Sequence, residues 1–456
     1  MNFATLGYFL FLLAAVAVYW LLPRAAGRWW LLLASLAFYA TWNALYIPLF
    51  AGLIALNFLI ARRIAGPDGR RWLALGIGID LAGLFIAKYL DWVLGSSASV
   101  VALVTGRPVE LAGLGIVLPL AISFVTFTFI AYLVDVHRGR APERKPIDYA
   151  LFVTFFPHLI AGPIMRAREF LPQVHHPRPW RSSYLGEAAP LIIGGLLKKT
   201  AADRIHPIVT EAFADPSRYA PVGLLVVATA FTFQLYLDFA GYTDIALGSA
   251  RLLGFRLPRN FDWPYRAHSM AEFWGRWHMT LGRWLRDYLY FPLGGSRRGD
   301  ARAYLNLMIT MTLCGVWHGA GMTYVVWGAL QGVALCVNRW WRRRPGGIVL
   351  PVLVSWALTF AFVVFVRIFF IAEDLDASFR YLGALLVPAG GGGLPPLWLT
   401  LAVLAGIVAQ WPAVARLFLR LAPDRSSRRW LVYGLSVVVI VLFMPIVRPD
   451  FIYFAF

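Results

Sequence analysis

His318 lies in a glycine-rich run, Trp317-His318-Gly319-Ala320-Gly321, between two apolar segments. The far ends of both segments are basic, so we expect the chain to enter a membrane and return, with His318 at or near the turn. An ionisable side chain at membrane depth indicates a functional site by default. A neutral imidazole can take a proton from a hydroxyl or thiol, which predicts a general base. The alternative is a structural histidine that hydrogen-bonds backbone groups freed by the glycines.

A second histidine, His278, lies in the aromatic and basic segment 272–290. Large apolar side chains recur there at helical spacing, with charged residues on another stripe, which predicts an amphipathic helix at an interface or a cavity wall. The apolar stripe consists of Trp274, Trp277, Leu281, Trp284 and Tyr288. Both a catalytic and a purely structural role are open for His278.

Two acids, Asp238 and Asp244, lie at the end of the apolar segment 220–246. Acids at membrane depth need cationic partners or must be protonated. They either line a polar path or brace helices, and we favour bracing. The residues expected to line the substrate path or support the site are Trp317, Asp238, Asp244, Arg276, Arg286 and Asn306.

Cys314 lies one helical turn before His318, so the two side chains can share a helix face. A Cys–His pair could carry an acyl group, but a small buried cysteine is much commoner. Neither cysteine of the chain indicates a disulfide framework or a zinc site, and we expect no metal. No nucleotide-binding or metalloprotease motif is present either.

The segments that carry these residues belong to a chain that is apolar along its whole length. Of its 456 residues, 60% are hydrophobic and 14% are charged. This excess is too large for one buried core and predicts an all-α polytopic membrane protein with about 11–12 membrane helices. Segment 147–163, interrupted by prolines, is expected to be re-entrant, and residues 1–456 to form a single integral domain. The expected spans are 3–22, 29–44, 45–61, 72–94, 111–136, 188–208, 220–246, 303–318, 320–340, 348–371, 396–415 and 430–447.

Basic residues account for the formal net charge of +19 and lie mainly in short runs between the apolar segments. Arginines follow the first, third and fifth expected spans, whereas the loops 41–46 and 95–110 carry only Arg107 and Glu110 as charged residues. The positive-inside rule therefore places both termini on the outer face and the basic loops in the cytoplasm. Because the charge is explained in this way, nucleic-acid binding is not expected.

Several stretches, in this order along the chain, resemble the membrane-bound O-acyltransferase (MBOAT) family, particularly its bacterial branch for alginate O-acetylation and teichoic-acid D-alanylation. The similar stretches are 155–164, 234–244, 272–295, 317–320 and 451–454. The resemblance implies a ring of helices around a thinned centre, with cytoplasmic and outer funnels, and a motif-bearing core at about 111–345. It assigns the family's invariant histidine to His318 and its second recurrent histidine to His278.

The resemblance also implies an O-acyltransferase in the bacterial cytoplasmic (inner) membrane, acting in polysaccharide O-acetylation such as alginate or exopolysaccharide biosynthesis. No bound cofactor is expected. Acetyl-CoA is the expected acyl donor, with an aminoacyl carrier protein as the alternative. The expected partners are membrane lipid, an extracytoplasmic polysaccharide acceptor and a periplasmic serine-hydrolase-like acetyltransferase of the SGNH, AlgJ or AlgX type.

The tail 448–456 resembles the aromatic ends of relatives in this branch, and the predicted topology places Tyr453 on the outer face. A tyrosine hydroxyl activated by His318 could hold the acyl group as an ester, so we include Tyr453 among the catalytic residues. The alternative is an aromatic residue that anchors the last helix at the interface. Two other functions stay open at this point: a proton-coupled transporter of a small polar solute, and a scaffold that recruits the partner hydrolase.

Overall fold

The computed structural model describes residues 3–107, 113–160, 162–346, 348–387, 392–411, 426–445, 449 and 451. Regular structure within these ranges is helical and contains no β-strand, as predicted. The helices of the first half are α1 (Leu6–Leu21), α2 (Arg24–Asn43), α3 (Ile47–Ile64), α4 (Gly69–Lys88), α5 (Leu90–Thr105), α6 (Ile122–His137), α7 (Pro146–Thr154), α8 (Phe156–Leu159), α9 (Ala167–His175) and α10 (Ser183–Ala214).

The second half contains longer apolar helices and a group of short ones around residue 278. They are α11 (Pro221–Leu252), α12 (Met270–Arg276), α13 (Met279–Leu285), α14 (Asp300–His318), α15 (Met322–Arg343), α16 (Val352–Ile371), α17 (Leu375–Leu386), α18 (Leu397–Ala409) and α19 (Ser426–Phe443). A short π-helical turn, Arg286–Tyr290, follows α13.

Three helical stretches of the described chain are long and apolar enough to cross a bilayer: Arg24–Ile64, α11 and α16. Helices α4 and α5 form a fourth candidate together, with a bend of 61° between them. Four further apolar helices are shorter than 18 residues. The all-helical membrane fold is thus confirmed, whereas the number of 11–12 spans stays a prediction.

The boundaries of two predicted segments were wrong. Within the expected span 111–136, the described residues 113–121 are not helical and α6 begins at Ile122; Pro119 lies in that stretch, and its ring disfavours a helix interior. Conversely, the expected loop 95–110 is helical as far as Thr105, where Gly106 adopts a left-handed conformation and ends α5.

The described chain divides into two compact units. Unit 1 comprises Met1–Ala188 and Ala246–Pro258, and unit 2 comprises Ala189–Ile245 and Arg259–Phe456. Those candidate site residues that lie within the described ranges all belong to unit 2. The single integral domain over residues 1–456 stays a prediction.

A buried polar cluster joins helices of unit 1. The Asp148 carboxylate on α7 is fully buried and accepts a hydrogen bond of 3.1 Å from Arg28 on α2. His175 on α9 lies 2.9 Å from Glu143 and 3.6 Å from Asp148. Three such side chains could ligate a cation, but Arg28 already neutralises Asp148, so the cluster is accounted for as a brace between helices.

Helices α14 and α15 of unit 2 pack backbone against backbone. A Cβ atom on Gly315 would lie 2.1 Å from the Tyr324 carbonyl oxygen, and one on Gly328 would lie 2.5 Å from the Met311 carbonyl oxygen. Small residues permit this close approach of two helices in a membrane. The contact fixes the C-terminal part of α14. This helix ends at His318 because the backbone of the next residue, Gly319, is extended.

Candidate functional site

His318 is the last residue of α14 and is buried, with 3% of its surface exposed. Three aromatic rings meet its imidazole edge-on, with centroid distances of 4.9 Å for Trp317, 5.2 Å for Trp327 and 5.3 Å for Phe370. Trp327 belongs to α15 and Phe370 to α16, so three helices build this enclosure. An imidazole surrounded in this way meets little water, which strengthens every electrostatic interaction that it makes.

His278 interrupts the helix that the sequence predicted over 272–290. Its φ of 42° is left-handed, so α12 ends at Arg276 and α13 begins at Met279. The expectation of one continuous amphipathic helix was therefore wrong. A non-glycine residue in this conformation is strained, and such strain is concentrated at functional sites.

Asn260 holds the turn at His278 in place, and the sequence analysis did not include it. Its carbonyl oxygen accepts a hydrogen bond of 2.9 Å from the Met279 N–H, and its side-chain oxygen accepts one of 2.6 Å from the Thr280 hydroxyl. Asn260 is itself buried. Its separation of 18 positions from His278 gives no periodic signal, so only the folded chain reveals this contact.

The structure brings the two predicted histidines to the same tryptophan. Trp317 contacts the His318 ring directly and lies 6.4 Å from the His278 ring, measured between centroids. His278 is fully buried, packs on Phe239 at 4.7 Å, and neither of its ring nitrogens has a hydrogen-bond partner among the described residues. A buried polar group without a partner requires an explanation, and a substrate hydrogen bond supplies one.

Arg367 is a second residue that the sequence analysis missed. It lies on α16, is 1% exposed, and places its guanidinium carbon 4.4 Å from the Trp277 ring and 5.4 Å from the Phe370 ring. Its sequence signal is a single charged residue within the apolar segment Val352–Ile371, which indicates a functional residue at membrane depth. Arg367 thus contacts the neighbour of His278 and one wall of the His318 enclosure.

A cavity of about 510 Å³ lies beside this site in unit 2. Its lining combines the apolar side chains of Trp274 and Met311 with four arginines, namely Arg286, Arg339, Arg342 and Arg343. Trp274 packs on Trp327 at 6.2 Å, and Trp327 packs on His318. Trp274 and Trp327 are thus the rings that lie between the cavity and His318, and a seven-residue separation on α14 puts Met311 about 10 Å from His318 along the helix axis.

Comparison with known proteins identifies the family to which this chain belongs. The family model described as MBOAT, membrane-bound O-acyltransferase family, matches residues 144–370. A probable alginate O-acetylase AlgI of Pseudomonas putida is 38% identical over 391 residues, covering 83% of this chain and 78% of that protein. The chain belongs to the MBOAT family.

Two further relatives indicate the range of this MBOAT branch. A peptidoglycan O-acetyltransferase of Helicobacter pylori is 37% identical over 411 residues, covering 83% of this chain and 76% of that protein. A teichoic acid D-alanyltransferase of Streptococcus thermophilus is 29% identical over 241 residues, covering 49% of this chain and 58% of that protein. The predicted resemblance to the MBOAT family is confirmed.

The two acids of this MBOAT chain have lysine partners. Asp238 lies 2.8 Å from Lys199, which also contacts Asp203 at 2.6 Å, and all three side chains are buried. Asp244 pairs with Lys198. These ion pairs join α10 to α11 within unit 2, as expected of braces, and the role of the acids in a substrate path stays a prediction.

The other expected supporting residues are accounted for by local contacts. Arg276 pairs with Glu272 at 2.9 Å and with Asp262 at 3.1 Å. Arg286 pairs with Asp287 at 2.8 Å and lines the cavity. The buried Asn306 donates a 2.8 Å hydrogen bond to the Gly295 carbonyl oxygen. Arg276 and Asn306 hold the short helices and their loop, whereas Arg286 is available to the cavity.

Tyr453 lies outside the described residues, and its catalytic role stays a prediction. Phe451, two positions earlier, is buried and stacks on Tyr242 at 4.2 Å. It also contacts Phe239 at 5.8 Å, the same ring that packs on His278. Phe451 is thus one aromatic ring away from His278.

Proposed function

We propose that this MBOAT protein is an O-acetyltransferase subunit of the bacterial cytoplasmic membrane. It passes acetyl from cytoplasmic acetyl-CoA to an extracytoplasmic polysaccharide, with a serine-hydrolase-like partner completing the transfer. The observation that carries this proposal is the buried pair His278 and His318, which share Trp317 in a chain related to O-acetylating proteins.

In the proposed reaction His318 is the general base. It takes the proton of an acceptor hydroxyl while the hydroxyl oxygen attacks the thioester carbonyl carbon. The carbon–sulfur bond then breaks, and the leaving thiolate takes the proton back from the imidazolium. An oxygen ester and a free thiol result, and His318 returns to its neutral form.

Hydrogen-bond donors for the carbonyl oxygen of the thioester lie near His318. The Trp327 indole N–H is buried and has no hydrogen-bond partner among the described residues, as is also true of the His278 ring nitrogens. A preorganised donor aimed at the developing oxyanion typically supplies about 3–4 kcal/mol of transition-state stabilisation. We assign His278 and Trp327 to this role or to orienting the acceptor.

The surroundings of His318 favour a short acyl group. Trp327 and Phe370 are themselves in contact at 5.2 Å, and α14 meets α15 backbone to backbone at Gly315. The space on this side of the imidazole is therefore filled by ring and backbone atoms. This supports acetyl, whereas a D-alanyl donor on a carrier protein is the alternative that the more distant relatives suggest.

The arginine-lined cavity supports a donor with phosphate groups. Arg339 and Arg343 pair with Asp300, and Arg286 pairs with Asp287. Arg342 lines the same cavity, and the ion pairs found among the described residues do not include it. Guanidinium groups bind phosphate through charge-assisted hydrogen bonds, and an extended thioester arm could bridge the distance from the cavity to His318.

Replacing Arg342 by alanine is expected to raise the KM for acetyl-CoA about fivefold, with kcat unchanged. The size of this effect follows from an exposed charge pair contributing up to about 1 kcal/mol. Arg344 is the matched control, because it lies two residues later, packs on Trp340 and does not line the cavity. Steady-state thiol release measures both variants, and equal KM values for R342A and R344A would remove Arg342 from the donor site.

The proposed relay passes the acyl group through Tyr453. The tyrosine hydroxyl, deprotonated by His318, attacks the thioester and holds the acetyl group as an aryl ester. A serine of the partner then attacks that ester and regenerates the tyrosine. The relay is supported by Phe451, two positions before Tyr453, which contacts Phe239 and Tyr242.

Tyr453→Phe is expected to abolish acetylation of the polysaccharide while the membrane protein is still produced and folded. The change removes one hydroxyl group and keeps the aromatic ring, so an anchoring role would survive it. Phe454→Tyr in the same protein is a companion variant that tests whether a shifted hydroxyl restores transfer. Ester-linked acetate on the polysaccharide is the measurement, and full acetylation by Tyr453→Phe would eliminate the relay.

The proposed function as a whole is tested in cells of the source organism. Deleting the gene is expected to remove O-acetyl esters from an extracytoplasmic glycan, and the wild-type gene should restore them. Loss of alanyl esters would favour the D-alanyl alternative. An unchanged content of both ester types would contradict the proposal.

A further inference from the structure

Arg367 has no part in the proposed proton transfer, yet it is a charged side chain buried at membrane depth. Helix α16 has no other charged residue over its 20 positions. Only 1% of the Arg367 surface is exposed. Burying a cation is unfavourable unless its surroundings compensate for the lost hydration, so such a residue requires a reason.

The contacts of Arg367 lead to both histidines. Its guanidinium lies over the ring of Trp277, the residue directly before the left-handed His278. It also lies over the ring of Phe370, which packs edge-on against His318 at 5.3 Å. The Arg367 guanidinium thus contacts Trp277, the chain neighbour of His278, and Phe370, which packs against His318.

A hydrogen bond to Tyr265 fixes the guanidinium further. Arg367 bonds the Tyr265 hydroxyl, which in turn donates to the Thr232 carbonyl oxygen on α11 at 2.5 Å. Tyr265 also stacks near Trp277, at a centroid distance of 6.2 Å and an interplanar angle of 29°. The guanidinium is therefore held in one place by two aromatic rings and a hydroxyl.

We propose that Arg367 is a positioning residue of this site: through Trp277 and Phe370 it holds the imidazoles of His278 and His318 in the arrangement that acyl transfer needs. The kinetic consequences rest on the proposed function. A planar guanidinium stacks on ring faces and donates in fixed directions, whereas an ammonium or a thioether does neither in the same way.

Arg367→Met and Arg367→Lys test this role in the purified full chain. Methionine fills a similar volume without charge, and we expect kcat for acetyl-CoA-dependent thiol release to fall about a hundredfold, with KM within twofold of wild type. The unfolding temperature should not fall, because replacing a buried ion by an apolar side chain is often neutral or stabilising. Lysine keeps the charge but loses the planar stacking, so we expect a tenfold loss of kcat.

Arg251→Met is the matched control. Arg251 is also buried and lies 4.7 Å from the ring of Tyr184, but it belongs to unit 1 and pairs with Glu187. We expect this variant to keep kcat within twofold. A wild-type kcat in Arg367→Met or in Arg367→Lys would overturn the inference, as would losses of kcat that merely follow the fraction of unfolded protein.

A measurement independent of turnover separates this inference from the proposed function. Diethyl pyrocarbonate modifies accessible imidazoles, and mass spectrometry gives the rate at each histidine. We expect modification of His278 and His318 to be at least fivefold faster in Arg367→Met than in wild type, and unchanged in Arg251→Met. If wild type released no thiol from acetyl-CoA, the proposed function would fail, while equal modification rates would separately refute the positioning role.

Discussion

Replacing His318 by alanine is expected to reduce acyl transfer about a thousandfold. General base catalysis typically contributes factors of 100 to 10,000, and the three rings that enclose the imidazole, Trp317, Trp327 and Phe370, carry no basic group that could replace it. The variant should still fold, because α14 ends at this residue and its helix packing is made by the preceding turns. O-acetyl esters on the polysaccharide of complemented cells measure the effect.

His206→Ala is the control for that experiment. His206 is another histidine of unit 2, and its Nδ1 lies 3.1 Å from the Gln234 amide nitrogen. The proposed reaction assigns it no role, so its variant should acetylate within about twofold of wild type. Normal acetylation by His318→Ala at equal protein levels would refute the assignment of the base.

Replacing Gly328 by alanine is expected to destabilise the protein more than an ordinary helix substitution. The added Cβ would lie 2.5 Å from the Met311 carbonyl oxygen and 3.0 Å from Gly315, so α14 and α15 must separate. Overpacking a tight contact typically costs about 1–3 kcal/mol, and here the obstructing atoms are backbone, which cannot rotate away. Thermal unfolding in detergent should show a lower midpoint, and acyl transfer should fall because His318 ends α14.

Gly383→Ala provides the matched comparison for Gly328. Gly383 also lies inside a helix, α17, but a Cβ there would meet no heavy atom within 4 Å. Alanine should therefore raise the stability by about 0.5–1 kcal/mol through its better helix propensity. Equal unfolding midpoints for the two variants would show that the α14–α15 contact is looser than described.

The sequence was sufficient to predict His318 as a candidate base, because a titratable residue between two apolar segments is visible without a structure; its catalytic role stays a prediction. The same reasoning failed for the backbone at His278. Hydrophobic spacing over 272–290 predicts a helix, and spacing cannot reveal a single left-handed residue that is held by Asn260 from outside the segment. The helical spacing of the sequence and the observed backbone disagree at His278, a candidate site residue, and disagreements of this kind are expected at functional sites.

Arg367 has a sequence signal, a single charge in an apolar helix, that was not used to predict a site residue. A lone charge in the helix Val352–Ile371 could have been noted, but its meaning depends on Trp277, which is 90 positions away in the chain. The arginine-lined cavity is likewise a product of tertiary packing, since it collects side chains from α12, α13, the π-helical turn, α14 and α15. Asp238 and Asp244 were expected to need partners because they are acids at membrane depth, and Lys199 and Lys198 supply those partners; their bracing role stays a prediction.

The most direct test of the account is acetyl transfer by the purified protein in lipid nanodiscs. Acetyl-CoA labelled in the acetyl group is added to wild type and to His318→Ala, and free thiol and protein-bound label are measured together. We expect thiol release by wild type, with base-labile label on the protein, and neither signal above background for His318→Ala. Equal thiol release by the two proteins would contradict the assignment of His318 as the base.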